Sequence, residues 1–356
     1  ERRMGVGESG RRYFEQHRLR PLQFRRDQGR LSGLRALLLI YPSPTLAQLA
    51  DPLAVFSEHE STLSQEDMRA AISERLKPAL DALQRAAVPR ADAGGAEWAV
   101  PAVIDDALGM RSRAWLETSD GMRALASEDA FQDHVAELAT VVANRDISAS
   151  TADLSKLLVD VALGSPAICA LRALKRIAPE LAWDDARLLS AAAEVAWSFR
   201  TLFNQHDAVA LLRRDADDRY WHRVLTYCVD HNLQAVLDEY AHYLVDAEGL
   251  GVRPEDERAI GVGHAMASVL AIRPSQIDVD DVHVDGECLA IRKFQMRGRF
   301  AMRLADYKDE EGAIARLGGV RDAFNSPFRP FVLATTSVGQ EGLDFHPYCY
   351  RIYHWN

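Results

Sequence analysis

Between Ser64 and Ala86 the apolar residues Met68, Ile72, Leu76, Leu80 and Leu83 recur every three or four positions, the spacing of one face of an α-helix. Ser64 with Asp67 three residues on forms the start signal of a capping box, and Pro78 predicts a kink. The same period predicts helices near 127–143, 151–163, 166–177, 184–204 and 206–247, with Ser165-Pro166 as a cap and first-turn pair. From Thr45 to about Leu250 the pattern is therefore mostly helical. One segment before it and one within it read otherwise. Leu37–Tyr41 reads as a buried strand closed by the turn Tyr41-Pro42-Ser43-Pro44, and Ala91–Pro101 reads as a loop. No repeat of constant period occurs, which argues against a solenoid.

After Gly249 the texture changes. Ser275–Ala305 alternates like paired strands around a hairpin at Asp285-Gly286. Lys308–Phe324 is polar and reads as a helix. "PFVLATTS", from Pro330, reads as a strand buried on both faces, as in a parallel sheet, and "YRIYHWN" as one more strand. The expected fold class is α/β with a large all-α insertion, mostly helical overall. Its segments are 1–45, a basic stretch with a first strand; 46–250, a helical insertion; and 251–356, an α/β lobe.

Composition narrows the class. With 356 residues, 48% hydrophobic and 26% charged, the chain is that of an ordinary globular protein with room for about two domains. No apolar run approaches a membrane span, and the first residues lack the apolar stretch of a signal peptide. Cys169, Cys228, Cys288 and Cys349 stand about sixty residues apart, too far for a zinc knuckle, which fits a reducing cytoplasm. A net charge of -10 argues against a surface built wholly for DNA. Residues 1–30 run the other way: nine arginines against Glu1, Glu8, Glu15 and Asp27.

Several motif-like strings dissolve on inspection. "GVGESG" at Gly5 matches the dinucleotide fingerprint, but the fingerprint needs a strand before it and only four residues precede it here, so a flexible loop is the expected reading. "LQAVLDEYAH" at Leu233 resembles a Walker B strand. Its apolar residues fall at helical spacing, and none of the five lysines follows a glycine, so no GK[ST] loop exists to partner it. His206, His222, His231 and His242 lack metal-ligand spacing, and Asp184-Asp185, Asp217-Asp218 and Asp280-Asp281 read as caps and solvated turns. There is no GxSxG.

One stretch remains, "ATTSVGQEGLDF", Ala334–Phe345. A strand ending in Thr335, Thr336 and Ser337 offers hydroxyls and amides at the edge of a sheet where ligands bind in open α/β folds. Gly339 and Gly342 permit close backbone approach to a phosphate or ribose, and Asp344 can accept from sugar hydroxyls. The residues alone leave a second reading open, a plain strand-loop-strand connection.

"TSVGQEGLDF", Thr336–Phe345, resembles motif V of superfamily 2 helicases and translocases, and its Gly-x-Glu-Gly version is most similar to the Snf-type branch. "RGRFAMRLAD" and "VRDAFNSPFRPFVLATTSVGQEGLDFHPYC" resemble the second RecA-like lobe of large bacterial helicases, some found among phage-defence genes. "LLLIYPSPTLAQLADP" and "YWHRVLTYCVDHNLQAVLDEYAHYL" are similar to a helical insertion in that lobe. The resemblance implies an incomplete RecA-like C-terminal lobe, beginning after motif IV and stopping before motif VI, with ATP as cofactor and Mg²⁺ held by a missing first lobe. It assigns Thr336, with Ser337 and Thr335, to the nucleic-acid backbone. Gly342 and Asp344 fall near the ATP ribose and the lobe interface, and Glu341 at a coupling position. It implies an ATP hydrolase when intact and an inactive chain alone, since Walker A, Walker B and the arginine finger are absent. The implied partner is DNA, held without sequence specificity, with a protein partner possible through the insertion. The alternative is a non-catalytic helical interaction module on a degenerate lobe. A free-standing nucleotide hydrolase finds no nucleophile or metal set.

Overall fold

Three helices among the described residues begin in the same way, with a side chain able to cap followed by proline at the first helical position. Ser43-Pro44, Asp51-Pro52 and Ser165-Pro166 are these starts in the computed structural model. It describes residues 21–59, 62–87, 96–145, 147, 151–212, 219–272, 275–285, 288–298, 301–302, 319–335 and 347–353. The chain divides into two units, Glu1–Ala267 and Ser268–Asn356.

Among its described residues the first unit opens with an antiparallel hairpin, β1 (Arg25–Asp27) and β2 (Arg30–Ser32), and is otherwise mostly helical. Its helices are α1 (Leu37–Ile40), α2 (Pro44–Leu49), α3 (Pro52–Ser57), α4 (Gln65–Arg75), α5 (Lys77–Ala86), α6 (Val100–Ala107), α7 (Ser112–Glu117), α8 (Asp129–Asn144), α9 (Thr151–Gly164), α10 (Pro166–Ile177), α11 (Ala186–Phe203), α12 (His206–Leu212), α13 (Tyr220–Asp230), α14 (Leu233–Ala247) and α15 (Glu255–Ala271), the last running into the second unit. Helix α10 is the centre. Residues 166–174 are all buried, and it packs on α11 and α14. A helix apolar nearly all round needs neighbours on every side.

Most helical expectations hold, with corrections at the joints. The Ser64–Asp67 capping box forms, and Ile72, Leu76, Leu80 and Leu83 are buried as one stripe. Pro78 lies at the start of α5 and divides the stripe into two helices at Leu76, because it offers no N–H to the preceding turn. Ser165 holds the cap position, yet its hydroxyl donates to the Leu39 carbonyl at 3.4 Å instead of capping α10. The long helix expected over 206–247 is interrupted at His231-Asn232. Asn232 takes a left-handed conformation, φ 49°, and its side chain accepts from the Ala235 N–H to start α14 anew. Leu37–Tyr41, expected as a strand, is helical through Ile40: all of its side chains are buried by α10 and α11, and burial on every side suits a helix equally. Of the expected loop Ala91–Pro101, Glu97–Ala99 is a 3-10 turn and α6 starts at Val100.

In the second unit β3 (Ser275–Asp285) and β4 (Cys288–Gly298) pair antiparallel over their full length, so that Asp285 stands opposite Cys288; Gly286 of the expected hairpin turn lies outside the described residues. Asp280 and Asp281 lie in this ladder opposite Lys293 and Arg292, not in a turn or at a cap. β5 (Ala301–Met302) pairs in parallel with β6 (Ala334–Thr335), and residues 319–324 are helical. Among the described residues parallel pairing is confined to those two rungs. Phe331 and Val332 are 82% and 79% exposed and precede β6, so the expectation of a long strand buried on both faces fails there. Tyr350–Tyr353 has no regular structure and is equally exposed. The chain is mostly helical. Among the described residues no single helix is long and apolar enough to cross a membrane; α9 and α10 together pass on length, but they meet at 50°.

Candidate functional site

Of the residues singled out for ligand contact, Thr335 is the last residue of β6 and lies in register with Met302 of β5. It stands at the C-terminal end of a strand in a parallel pair, the edge from which ligand loops leave such sheets. Thr336, Ser337, Gly339, Glu341, Gly342 and Asp344 lie outside the described residues.

The helical unit holds three polar centres that the hydrophobic pattern did not reveal. The first surrounds Asp105 of α6, which is fully buried. Its Oδ2 accepts from the Tyr41 hydroxyl at 2.9 Å, and its Oδ1 accepts from the Ser43 hydroxyl and the Thr45 N–H, each at 3.0 Å. Only neutral groups donate to it. Burial pushes its carboxyl up to about 7, against the pull of those hydrogen bonds. Burial, followed by the charge of Asp105, also drives the Tyr41 phenol well above its ordinary value. The neighbour Asp106 points outward and meets Arg145 at 3.0 Å.

The second centre is Arg172 of α10, with no exposed surface. Its guanidinium donates to the carbonyls of Ala47 (2.9 Å), Ala162 (2.8 Å), Leu46 (3.1 Å) and Ala50 (2.6 Å), and to Gln234 Oε1 (3.2 Å). It thereby closes the C-terminal end of α2, whose last carbonyls have no partners within the helix. Burial lowers its pKa. One turn on, Arg176 bridges Asp51 (2.6 Å) and Asp238 (2.5 Å), tying α10 to the start of α3 and to α14.

The third joins three helices at Asp160 of α9: Arg69 of α4 meets one oxygen at 2.5 Å and His222 of α13 the other at 3.2 Å. A histidine against a carboxylate is a pairing used by general bases, which also requires a nucleophile on the free ring nitrogen. None is in hydrogen-bond reach among the described residues. The nearby Ser73 and Ser155 hydroxyls face each other at 3.4 Å.

All three centres brace helix joints. The first two are closed to solvent, so no substrate reaches them. The acidic pair Asp184-Asp185 behaves as the sequence suggests: Asp185 caps α11 by accepting from the Arg187 N–H, while Asp184 takes Arg111 at 3.0 Å. Those arginine bonds hold both carboxyls below their usual range. Asp217-Asp218 lies outside the described residues. Leu233–His242, the Walker B look-alike, is the first part of helix α14, with Leu233, Leu237 and Tyr240 buried. No group of three or more His, Cys, Asp or Glu able to hold a metal occurs among the described residues.

Arg172 carries no sequence signal that separates it from Arg176 four residues on. Asp105 carries none either: it ends a continuous buried run, Val100–Asp105, and stands beside a second aspartate of the same type. Comparison with family models, curated proteins and solved structures finds no match to this chain.

Proposed function

We propose that the chain is part of an ATP-dependent nucleic-acid helicase or translocase of superfamily 2, with Thr335–Asp344 coupling ATP binding to contact with the DNA backbone. The observation that carries this reading is the sequence "TSVGQEGLDF" following directly on Thr335, the end of a strand paired in parallel. In this reading residues 1–45 and 251–356 contribute to a RecA-like lobe and the helices of 46–250 form an insertion within it. Thr335, Thr336 and Ser337 hold phosphates along one strand, a contact with little base specificity. Gly342 and Asp344 meet the ATP ribose and the lobe interface, and Glu341 transmits between the two. The 356 residues contain no GK[ST], so the triphosphate and Mg²⁺ are bound by residues outside them. An arginine finger is worth about 10³–10⁵ in rate in such reactions. Alone, these 356 residues have neither a P-loop lysine nor that finger and should not turn over ATP.

The test is ATP hydrolysis by the full-length gene product with and without DNA. Stimulation by DNA that Asp344→Ala abolishes, with the far-UV circular dichroism spectrum unchanged, is the expected result. Hydrolysis by Asp344→Ala at the parent rate, or no response to DNA, overturns the proposal. A second reading, a helical interaction module, draws on one specific observation: the first unit builds its own buried core around α10, with bracing centres throughout. Under it, Asp344→Ala leaves partner capture intact and no DNA-stimulated activity exists to lose.

A further inference from the structure

Arginines on the described surface mostly meet carboxylates: Arg35 with Glu97 at 2.7 Å, Arg111 with Asp184, Arg145 with Asp106, Arg187 with Asp185 and Asp256. The hairpin β1–β2 departs from this. Its register, Arg25 opposite Ser32, Arg26 opposite Leu31 and Asp27 opposite Arg30, divides it into two faces. Arg26 and Leu31 share the inner face, which packs on α8. There Arg26 is paired with Asp133, and both hairpin residues line a shallow groove with Ala136, Glu137 and Thr140.

The outer face carries Arg25 and Arg30. The Arg25 guanidinium is held by Gln23 Oε1, 2.9 Å from Nε and 2.6 Å from Nη2. A neutral acceptor fixes the fork without cancelling its charge, and Nη1 remains to donate elsewhere. Arg30 is exposed and its side chain has neither ion pair nor hydrogen bond among the described residues. Asp27, the acid on this face, takes the Ser32 hydroxyl at 2.7 Å. Residues diagonal across an antiparallel ladder stand about 7–8 Å apart, a separation two arginine stems can fit to neighbouring phosphates on one strand. Gln28 and Gly29, with φ 50° and 80°, close the tip in the tight two-residue form, so the ribbon is narrow where it projects. A two-stranded ribbon of this kind fits a nucleic-acid groove.

We propose that the outer face of this hairpin is a second nucleic-acid contact, in which Arg25 and Arg30 each engage a backbone phosphate. The inference rests on the DNA-binding part of the reading above and places a contact on the helical unit, remote in sequence from Thr335. Because the contacts are to phosphate, they position the duplex and do not read its bases. Arg26 supplies an internal control. It has the same charge on the same hairpin but is committed to Asp133 on the inner face.

The experiment measures binding of a fluorescein-labelled DNA duplex to the full-length gene product by anisotropy over a series of salt concentrations. Each phosphate contact contributes about 0.9 to the slope of log K against log salt. The double variant Arg25→Gln/Arg30→Gln is expected to lower that slope by roughly 1.8, while Arg26→Gln leaves it unchanged. A double variant with the parent slope, or an Arg26→Gln effect as large per residue, overturns the inference and leaves the motor reading standing. Absence of DNA binding by the parent protein overturns both. All three side chains are exposed, so loss of folding does not confuse the result.

Discussion

Replacing Asp105 by Asn removes a buried carboxyl while preserving the shape of its surroundings. The amide oxygen can accept from the Ser43 hydroxyl and the Thr45 N–H as Oδ1 does now, and the amide nitrogen can donate to the Tyr41 oxygen. The Tyr41 proton is then free to turn toward Ser112, whose buried Oγ has no hydrogen-bond partner of its own. The magnitude follows from the gap between 3.8 for an exposed aspartate and about 7 in the fold. At about 1.36 kcal/mol per pH unit this gap is worth roughly 4 kcal/mol. The sign is that of an acid whose folded pKa is raised. Between those two values the folded state holds more protons than the unfolded one, so this group's contribution falls as pH rises from about 4 to about 7, then stays level. The variant has no such dependence. Its stability relative to the parent is therefore expected to improve by roughly 2–3 kcal/mol between about pH 5 and about pH 8.5, whatever constant offset the altered hydrogen bonds add. Urea unfolding followed by far-UV circular dichroism at the two pH values measures this. Taking the difference between proteins cancels the opposite trend from Asp184 and Asp185. A difference that does not change with pH would refute the reasoning.

Two further outcomes follow from the same buried groups. Arg172→Met leaves the carbonyls of Leu46, Ala47, Ala50 and Ala162 without their donor and is expected to cost about 3–5 kcal/mol in denaturant unfolding; Arg172→Lys should recover little, because one ammonium cannot span that fork. Burial pushes the Cys169 thiol up to about 12 and Cys228 higher than its ordinary value, so both should resist alkylation in the native protein near pH 8. Peptide mass spectrometry checks this, and prompt modification of either thiol would show that α10 or α13 opens far more readily than its packing implies.

The helical part of the fold was legible because a helix satisfies its backbone within itself and needs only one apolar stripe to declare a buried face. Ser64 with Asp67, Ser165 with Pro166 and the stripe from Ile72 to Leu83 are local signals, and each marks a helix or a helix start in the structure. Legibility failed where two structures satisfy the same pattern. Leu37–Ile40 is apolar throughout, and a fully buried helix and a fully buried strand look alike over so few residues. Strands carry a further uncertainty, since their existence depends on a partner that may lie anywhere in the chain. β3 and β4 are neighbours in sequence, with Asp285 paired to Cys288, and could be read; β6 pairs with β5 across about thirty residues, with two rungs among the described residues.

The polar centres were hidden for a geometric reason that Asp105 and Asp106 display. Successive residues on a helix point about 100° apart. At the edge of an apolar stripe that angle separates interior from surface, so two adjacent aspartates meet opposite fates. Asp105 is enclosed by hydroxyls from residues 41–45, whereas Asp106 reaches Arg145 at the surface. The pattern along α6, apolar at every position from Val100 to Ile104, does not say which of the two faces inward. Nor does it say that Tyr41, Ser43 and Thr45 will be there to receive it, because that meeting depends on where α1 ends and α2 begins. The turn Tyr41-Pro42-Ser43-Pro44, read at first only as the end of a strand, therefore has a second use. By fixing two prolines between three donors it holds them in one arc, and the arc is what makes a buried carboxyl tolerable at that point. The same logic bears on Thr335–Asp344. Its residue types name a chemistry, but the hydroxyls and the carboxylate act only when a sheet edge presents them together. The deciding observation for that loop is accordingly functional: whether removing the Asp344 carboxylate uncouples DNA from ATP hydrolysis.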